Sequence, residues 1–127
     1  MPPSKAFGPD WIVDYFAMVD GRDLDEFLTW YADDANFRFA NQPRATGKQA
    51  IREALEQFYA LITEMRHERT GLWADADSGA FEAIAHFQTK SGRSLALPAV
   101  STLRVRNGLI HDFRFVMDAA PILEDAA

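Results

Sequence analysis

Ser94 to Met117 reads SLALPAVSTLRVRNGLIHDFRFVM, and this stretch decides the fold. Two runs of alternating side chains, Ser94 to Arg106 and Leu109 to Met117, flank Asn107-Gly108. Asn-Gly accepts positive φ at both central positions of a two-residue turn, so the runs read as an antiparallel hairpin. Upstream, Met65 to Ala74 and Ala80 to Thr89 read as strands as well. The turns Asp75-Ala76-Asp77-Ser78-Gly79 and Lys90-Ser91-Gly92-Arg93 bound them. The second half of the chain is therefore a four-stranded meander. The first half is mainly helical. Ile51, Leu55, Phe58 and Ile62 recur at helical spacing behind Thr46 and Gln49, which read as a capping box. Pro9-Asp10 opens an earlier helix with the stripe Trp11, Tyr15 and Val19, and Gly21 suits its left-handed end. Asp23 with Glu26 starts a second, short helix, Asn36 to Ala40 reads as a short strand, and Asn41 to Thr46 as a loop. The expected class is α+β: a curved, mostly antiparallel sheet wrapped around three helices to form a cone-shaped pocket. Residues 1–127 are expected to form one domain, with 1–9 as an arm and 119–127 as a tail.

Composition narrows the chemistry. The chain has 127 residues, 48% of them hydrophobic and 25% charged, which is ordinary for a globular domain. It has no cysteine, which excludes disulfides, thiol catalysis and Cys-type zinc sites. A net charge of −6 offers no basic face for nucleic acid. No apolar run approaches the ~18 residues of a membrane span, and Met1 to Asp10 lacks a signal-peptide core, so the expected location is the cytoplasm. The three histidines lie far apart in sequence, Gly47-Lys48 lacks the glycines of a P-loop, and Ser101 has no nucleophile elbow. Neither a metal nor another cofactor is expected.

Tyr31-Ala32-Asp33-Asp34-Ala35, Pro43 to Leu55 (PRATGKQAIREAL), Asn107-Gly108-Leu109-Ile110 and Phe113 to Asp118 (FRFVMD) together resemble one family. It is the SnoaL-like branch of the nuclear transport factor two-like superfamily, and the resemblance covers about residues 9 to 123. The resemblance implies a cone-shaped, mostly apolar pocket for a small molecule. The superfamily hosts ketosteroid isomerases, scytalone dehydratase, limonene epoxide hydrolase and polyketide cyclases. On the isomerase pattern Tyr15 falls at the tyrosine that donates to the oxyanion. The aspartate base of that pattern falls at Phe39, and its second donor near Ser101. On the epoxide hydrolase pattern the arginine and the two aspartates fall at Glu82, Ile84 and Phe115, and the tyrosine and asparagine at Phe37 and Phe39. Neither catalytic set is kept.

The resemblance also implies which alternating set lines the cone. On Ala80 to Thr89 it is Glu82, Ile84, His86 and Gln88; on Ser94 to Arg106 it includes Leu97, Ala99, Ser101 and Leu103; on the last strand it includes His111, Phe113, Phe115 and Met117. For the last two strands this is also the more apolar set. A polar set aimed into an apolar cone marks a site. The expected catalytic pair is thus Tyr15 as hydrogen-bond donor and His86 as base. Phe37, Phe39, His67, Glu82, Leu97, Ala99, Ser101, Leu103, His111, Phe113, Phe115 and Met117 are expected around the ligand. Each has a structural alternative: His86 as a hydrogen-bonded core histidine, Tyr15 as stripe packing, His67 exposed in the polar run Glu64 to Arg69. In the same way His111 can sit at a sheet end, Glu82 can pair with Arg69, and the phenylalanines can be plain wall.

The function this suggests is a cofactor-free acid–base enzyme of the dehydratase, isomerase, cyclase or hydrolase type, acting on a small apolar or aromatic molecule. The alternative is a non-catalytic ligand-binding or dimerisation protein. The outward set, read as Phe81, Phe87, Val100, Val116 and Ile110 among Arg104, Arg106 and Arg114, is too apolar for a solvated face and suggests a homodimer through the sheet.

Overall fold

In the computed structural model, which describes residues 5–126, the helices come first. They are α1 (Pro9–Asp20), α2 (Leu24–Leu28) and, after two strands, α3 (Lys48–Tyr59). The strands are β1 (Tyr31–Phe39), β2 (Ala45–Thr46), β3 (Ile62–Ala74), β4 (Ser78–Thr89), β5 (Ser94–Arg106) and β6 (Leu109–Met117), with a closing helix α4 (Ala120–Ala126). The sheet has six strands in the order β2-β1-β6-β5-β4-β3. Every neighbour pair is antiparallel except β1 with β6, so the sheet is mixed and open. The α+β expectation holds, and the meander from β3 to β6 runs as read. The arm expected over 1–9 lies in part outside the described residues, and from Pro9 it is helix.

Local chemistry explains most boundaries. Asn107 and Gly108 adopt φ of 55° and 76°, the two positive angles the β5–β6 turn demands. Asp23 caps α2, its carboxylate accepting from the backbone N–H of Asp25 and Glu26. At the end of α1 the left-handed residue is Arg22 (φ 55°) and not Gly21. Its guanidinium donates to the Thr63 carbonyl at 2.8 Å, which ties the helix end to β3. Thr46 does not cap α3. It lies on β2, where its hydroxyl donates to Asn36 Oδ1 at 2.8 Å, and Gly47 with φ 89° opens the helix instead. The expected tail is α4: Pro121 sits in its first turn, where no backbone N–H is needed.

The sheet's inner face packs on α1 and α3. Register partners place Phe81 beside Ser101, Ala83 beside Ala99, Ala85 beside Leu97 and Phe87 beside Leu95. Phe81, Ala83, Ala85 and Phe87 are all buried, so they, and not Glu82, Ile84, His86 and Gln88, face the helices. The expected β4 register is therefore inverted. Facing Glu82, His86 and Gln88 into a wall of aromatic rings would leave their polar groups without water, at a few kcal/mol each. On β5 the buried residues Ala99, Ser101 and Leu103 belong to the expected inner set, and on β6 so do Phe113, Phe115 and Met117, but His111 of that set is only half-buried. Phe81, Phe87 and Ile110, expected outside, are core. A shift in the β5–β6 register between Arg104 and Val105 turns Ile110 inward while keeping Phe113 inward.

Candidate functional site

The inner faces of α1, α3 and the sheet border a cavity of about 40 Å³. α1 contributes Tyr15, Phe16 and Val19, α3 contributes Leu55, Phe58 and Tyr59, and β1, β3 and β6 contribute Phe37, Phe39, Met65, His67, Phe113 and Phe115. Phe27 of α2 completes the wall. The rings hold one another in place. Phe37 stacks on Phe113 at 5.5 Å, and Tyr15 meets Phe16 edge-on at 5.0 Å.

Two polar features break this apolar wall. The first is a dyad. His67, on the inner face of β3 opposite Ala85, has a side chain only 4% exposed, and its Nδ1 lies 2.6 Å from Asp20 Oδ1 at the end of α1. The other Asp20 oxygen accepts from the His67 backbone N–H at 3.1 Å. An ionised carboxylate can only accept, so the shared proton belongs to His67 Nδ1, and in the neutral form of the ring the lone pair is on Nε2. Among the described residues Nε2 has no hydrogen-bond partner, and the ring is bordered by Phe16 at 5.2 Å, Phe115 at 6.1 Å and Phe81 at 6.4 Å.

The second feature is a pair of fully buried hydroxyls, Tyr15 and Tyr31, 2.6 Å apart. Two O–H groups share one hydrogen bond, so one proton is left over. Only Tyr15 of the two lines the cavity. The arrangement that strands no buried proton has Tyr31 donating to Tyr15 and the Tyr15 O–H turned into the cavity. Burial holds both phenols well above their usual range, so they stay protonated donors; for Tyr15 the Tyr31 hydrogen bond acts in the opposite direction. Tyr59 is pushed up to about 12, chiefly by burial, with Arg22 pulling it down and Asp20 pushing it up.

Several expected residues lie elsewhere. His86 is on the outer face, where its Nε2 lies 2.8 Å from Glu68 Oε1, so it cannot meet Tyr15. Glu82 is on the same outer face and accepts from Thr70 Oγ1 at 2.9 Å, not from Arg69. Leu97, Ala99, Ser101, Leu103 and Met117 are on the inner sheet face but do not border the cavity, and His111 is half-buried at the β6 irregularity. Tyr15, Phe37, Phe39, His67, Phe113 and Phe115 do border it. Sequence reasoning missed Asp20, Tyr31 and Tyr59. Asp20 follows Phe16 by one helical turn, and that spacing was its only signal. Among the described residues no group of three His, Asp or Glu side chains lies close enough to hold a metal ion, and no helix is long and apolar enough to cross a membrane.

The sequence matches the SnoaL-like domain family over residues 12–113. The chain belongs to that family. Solved structures agree on the fold. An NTF2-like protein of unknown function from Burkholderia pseudomallei superposes with a TM-score of 0.80 at 18% identity, covering 89% of this chain and 92% of that one. A candidate polyketide cyclase from Xanthomonas campestris pv. campestris gives 0.81 at 16% identity, covering 91% and 93%. A protein of ketosteroid isomerase-like fold from Catenulispora acidiphila, in complex with trimethylamine, gives 0.80 at 20% identity, covering 93% and 92%. No curated protein matches the sequence. These proteins share the fold with the chain; the chemistry of the SnoaL-like chain rests on its own residues.

Proposed function

We propose that the SnoaL-like chain is a cofactor-free proton-transfer enzyme acting on a small, uncharged, apolar carbonyl compound. The observation that carries this is the Asp20–His67 dyad, whose imidazole lines the same cavity as Tyr15. His67 Nε2 takes a proton from the carbon next to the carbonyl. The electron pair of that C–H bond moves into the new C=C bond, and the carbonyl π pair moves onto oxygen. Tyr15, itself held by Tyr31, donates to that oxygen as charge develops on it. Asp20 balances the imidazolium and keeps the ring oriented. Returning the proton to a second carbon gives isomerisation; giving it to a departing hydroxyl gives dehydration. His67 thus takes the role expected of His86, from the wall opposite Phe39.

The test uses 2-tetralone, an aromatic ketone with acidic α-protons. Exchange of those protons in D₂O, followed by proton NMR, is expected to be accelerated by the native protein and to fall at least tenfold in His67→Ala. Equal exchange in both proteins would favour the second reading, binding without turnover. The almost wholly aromatic wall and the trimethylamine held by the Catenulispora protein support that reading. In either case a homodimer through the outer sheet face is the proposed assembly. Ile84, Pro98, Val100 and Val116 form an apolar stripe there, rimmed by the His86–Glu68 and Arg114–Asp112 pairs.

A further inference from the structure

The cavity is too small for the ligand it is proposed to serve. Its volume is about 40 Å³, whereas a dry cavity that takes up benzene measures roughly 150 Å³. A six-membered ring therefore enters only if part of the wall moves. On the far side of that wall lies a second space of about 230 Å³, between α3, the chain around β2, and α4. Phe37, Phe39 and Phe58 line both spaces and so form the partition between them.

The three rings are not held equally. Phe37 is 4% exposed and stacked on Phe113. Phe58 is 8% exposed and meets Phe87 edge-on at 5.7 Å. Phe39 is only half-buried, ends β1, and precedes Ala40, whose φ of 51° turns the chain away from the sheet. Its ring leans on Phe58 at 4.5 Å and on Phe115 at 5.4 Å, and of the three it is the ring with the most freedom to change rotamer.

Resting on the reading of the inner cavity as a ligand site, we infer that Phe39 is a movable wall whose rotation joins the two spaces into one elongated chamber. Phe39 thereby sets the length of ligand the protein accepts. Together the spaces approach the lower end of the ~300–1,000 Å³ usual for small-molecule sites. The outer space has no ionisable side chain: beyond the shared rings it is Pro43, Ala45, Ala54, Leu61 and Leu123, with the Gln42 and Gln57 carboxamides as its polar groups. The ligand class that fits is uncharged and longer than one ring. Its reacting oxygen lies inside near Tyr15, and a hydrogen-bonding substituent at its other end meets the two amides.

The test is the binding of phenol and of 2-naphthol, by calorimetry, to the native protein, Phe39→Ala, Phe39→Leu and Leu123→Trp. With the wall shortened, 2-naphthol is expected to bind at least tenfold tighter to Phe39→Ala and several-fold tighter to Phe39→Leu, which keeps apolar bulk if the alanine variant is unstable. Filling the outer space with Leu123→Trp is expected to weaken 2-naphthol at least fivefold and phenol by a smaller factor. If native protein and variants bind 2-naphthol alike, Phe39 is no wall and the inference is overturned, with the cavity still standing as a ligand site. If none of them, Phe39→Ala included, binds either probe, the inference and the ligand-site reading fail together.

Discussion

Asp20 governs His67 through two contacts, one to the ring and one to the backbone, and only the first decides the tautomer. An asparagine in its place fits the same space and still accepts from the His67 backbone, but it can offer N–H to Nδ1. The ring proton then moves to Nε2 and the free lone pair is lost. Asp20→Asn is therefore expected to fold normally and to switch the His67 ring from the Nδ1–H to the Nε2–H form, read directly from ring ¹⁵N shifts. A native protein already in the Nε2–H form would remove His67 as a base. The tyrosine pair makes a separate claim. Tyr31→Phe takes away the partner of a buried hydroxyl and is expected to cost about 1–3 kcal/mol, and Tyr15→Phe similarly, whereas changing both removes the unmet need itself. The double variant should be clearly less destabilised than the sum of the singles in urea unfolding; additive costs would mean the two hydroxyls are not coupled. Neither feature was fully legible in the sequence. Tyr15 stood out on its helical stripe, but Asp20 lies 47 residues from its partner and Tyr31 lies 16 from Tyr15, separations over which periodicity is silent.

Strand β4 shows where a sequence reading goes wrong at the level of an element. Phe81, Ala83, Ala85 and Phe87 are the more apolar alternating set, and the rule that apolar sides face the core would have placed them inward unaided. The register borrowed from the family resemblance overrode that rule and carried His86 to the wrong face. The β5–β6 hairpin is legible because turn chemistry and period agree there, and α3 is legible from its period alone, although Ile62, which continues that period, begins β3. Helix α4 is too short for a period to show, and Pro121 sits in its first turn, where a helix tolerates it. Close packing at the start of β4 gives a contrast between two glycines. A methyl at Gly79 would lie 2.7 Å from Ile12 Cδ1 and 3.0 Å from the Trp73 carbonyl oxygen, both fixed in the fold. A methyl at Gly71 would meet the far end of the Trp73 ring at 2.5 Å, and that side chain is 58% exposed and free to swing. Gly79→Ala is expected to cost about 1–3 kcal/mol, and Gly71→Ala no more than about 0.5 kcal/mol with a change in tryptophan fluorescence. Equal costs in thermal unfolding would show that the β3–β4 hairpin does not pack on α1 in this way.

At the scale of the whole molecule the two sheet faces have different fates. The inner one is filled with rings, while the outer one leaves Val116 60% exposed in the middle of the apolar stripe. If two copies meet there, Val116→Asp sets a charge against its own symmetry mate at the two-fold centre, and light scattering should show a dimer becoming a monomer with unchanged circular dichroism. A native monomer at micromolar concentration would refute that assembly. The filled inner face makes a further claim about alkaline pH. The chain has three tyrosines, and burial raises all three phenols: Tyr15 and Tyr31 well above the usual range, and Tyr59 to about 12. In the unfolded chain each would ionise near pH 10. A phenol whose folded pKa lies above its unfolded one binds its proton more tightly in the native state. The stability it contributes is whole below about pH 10 and drains away as pH rises through the folded value. Phenolate absorbance at 295 nm should thus stay flat through pH 10. It should then rise only above about pH 11, together with the loss of circular dichroism, because opening the core is what exposes Tyr15 and Tyr31. A phenolate appearing reversibly near pH 10, in a protein whose circular dichroism is still native, would mean that one of these hydroxyls faces water. The aromatic cavity, with its uncommitted Tyr15 proton, would then have to be redrawn.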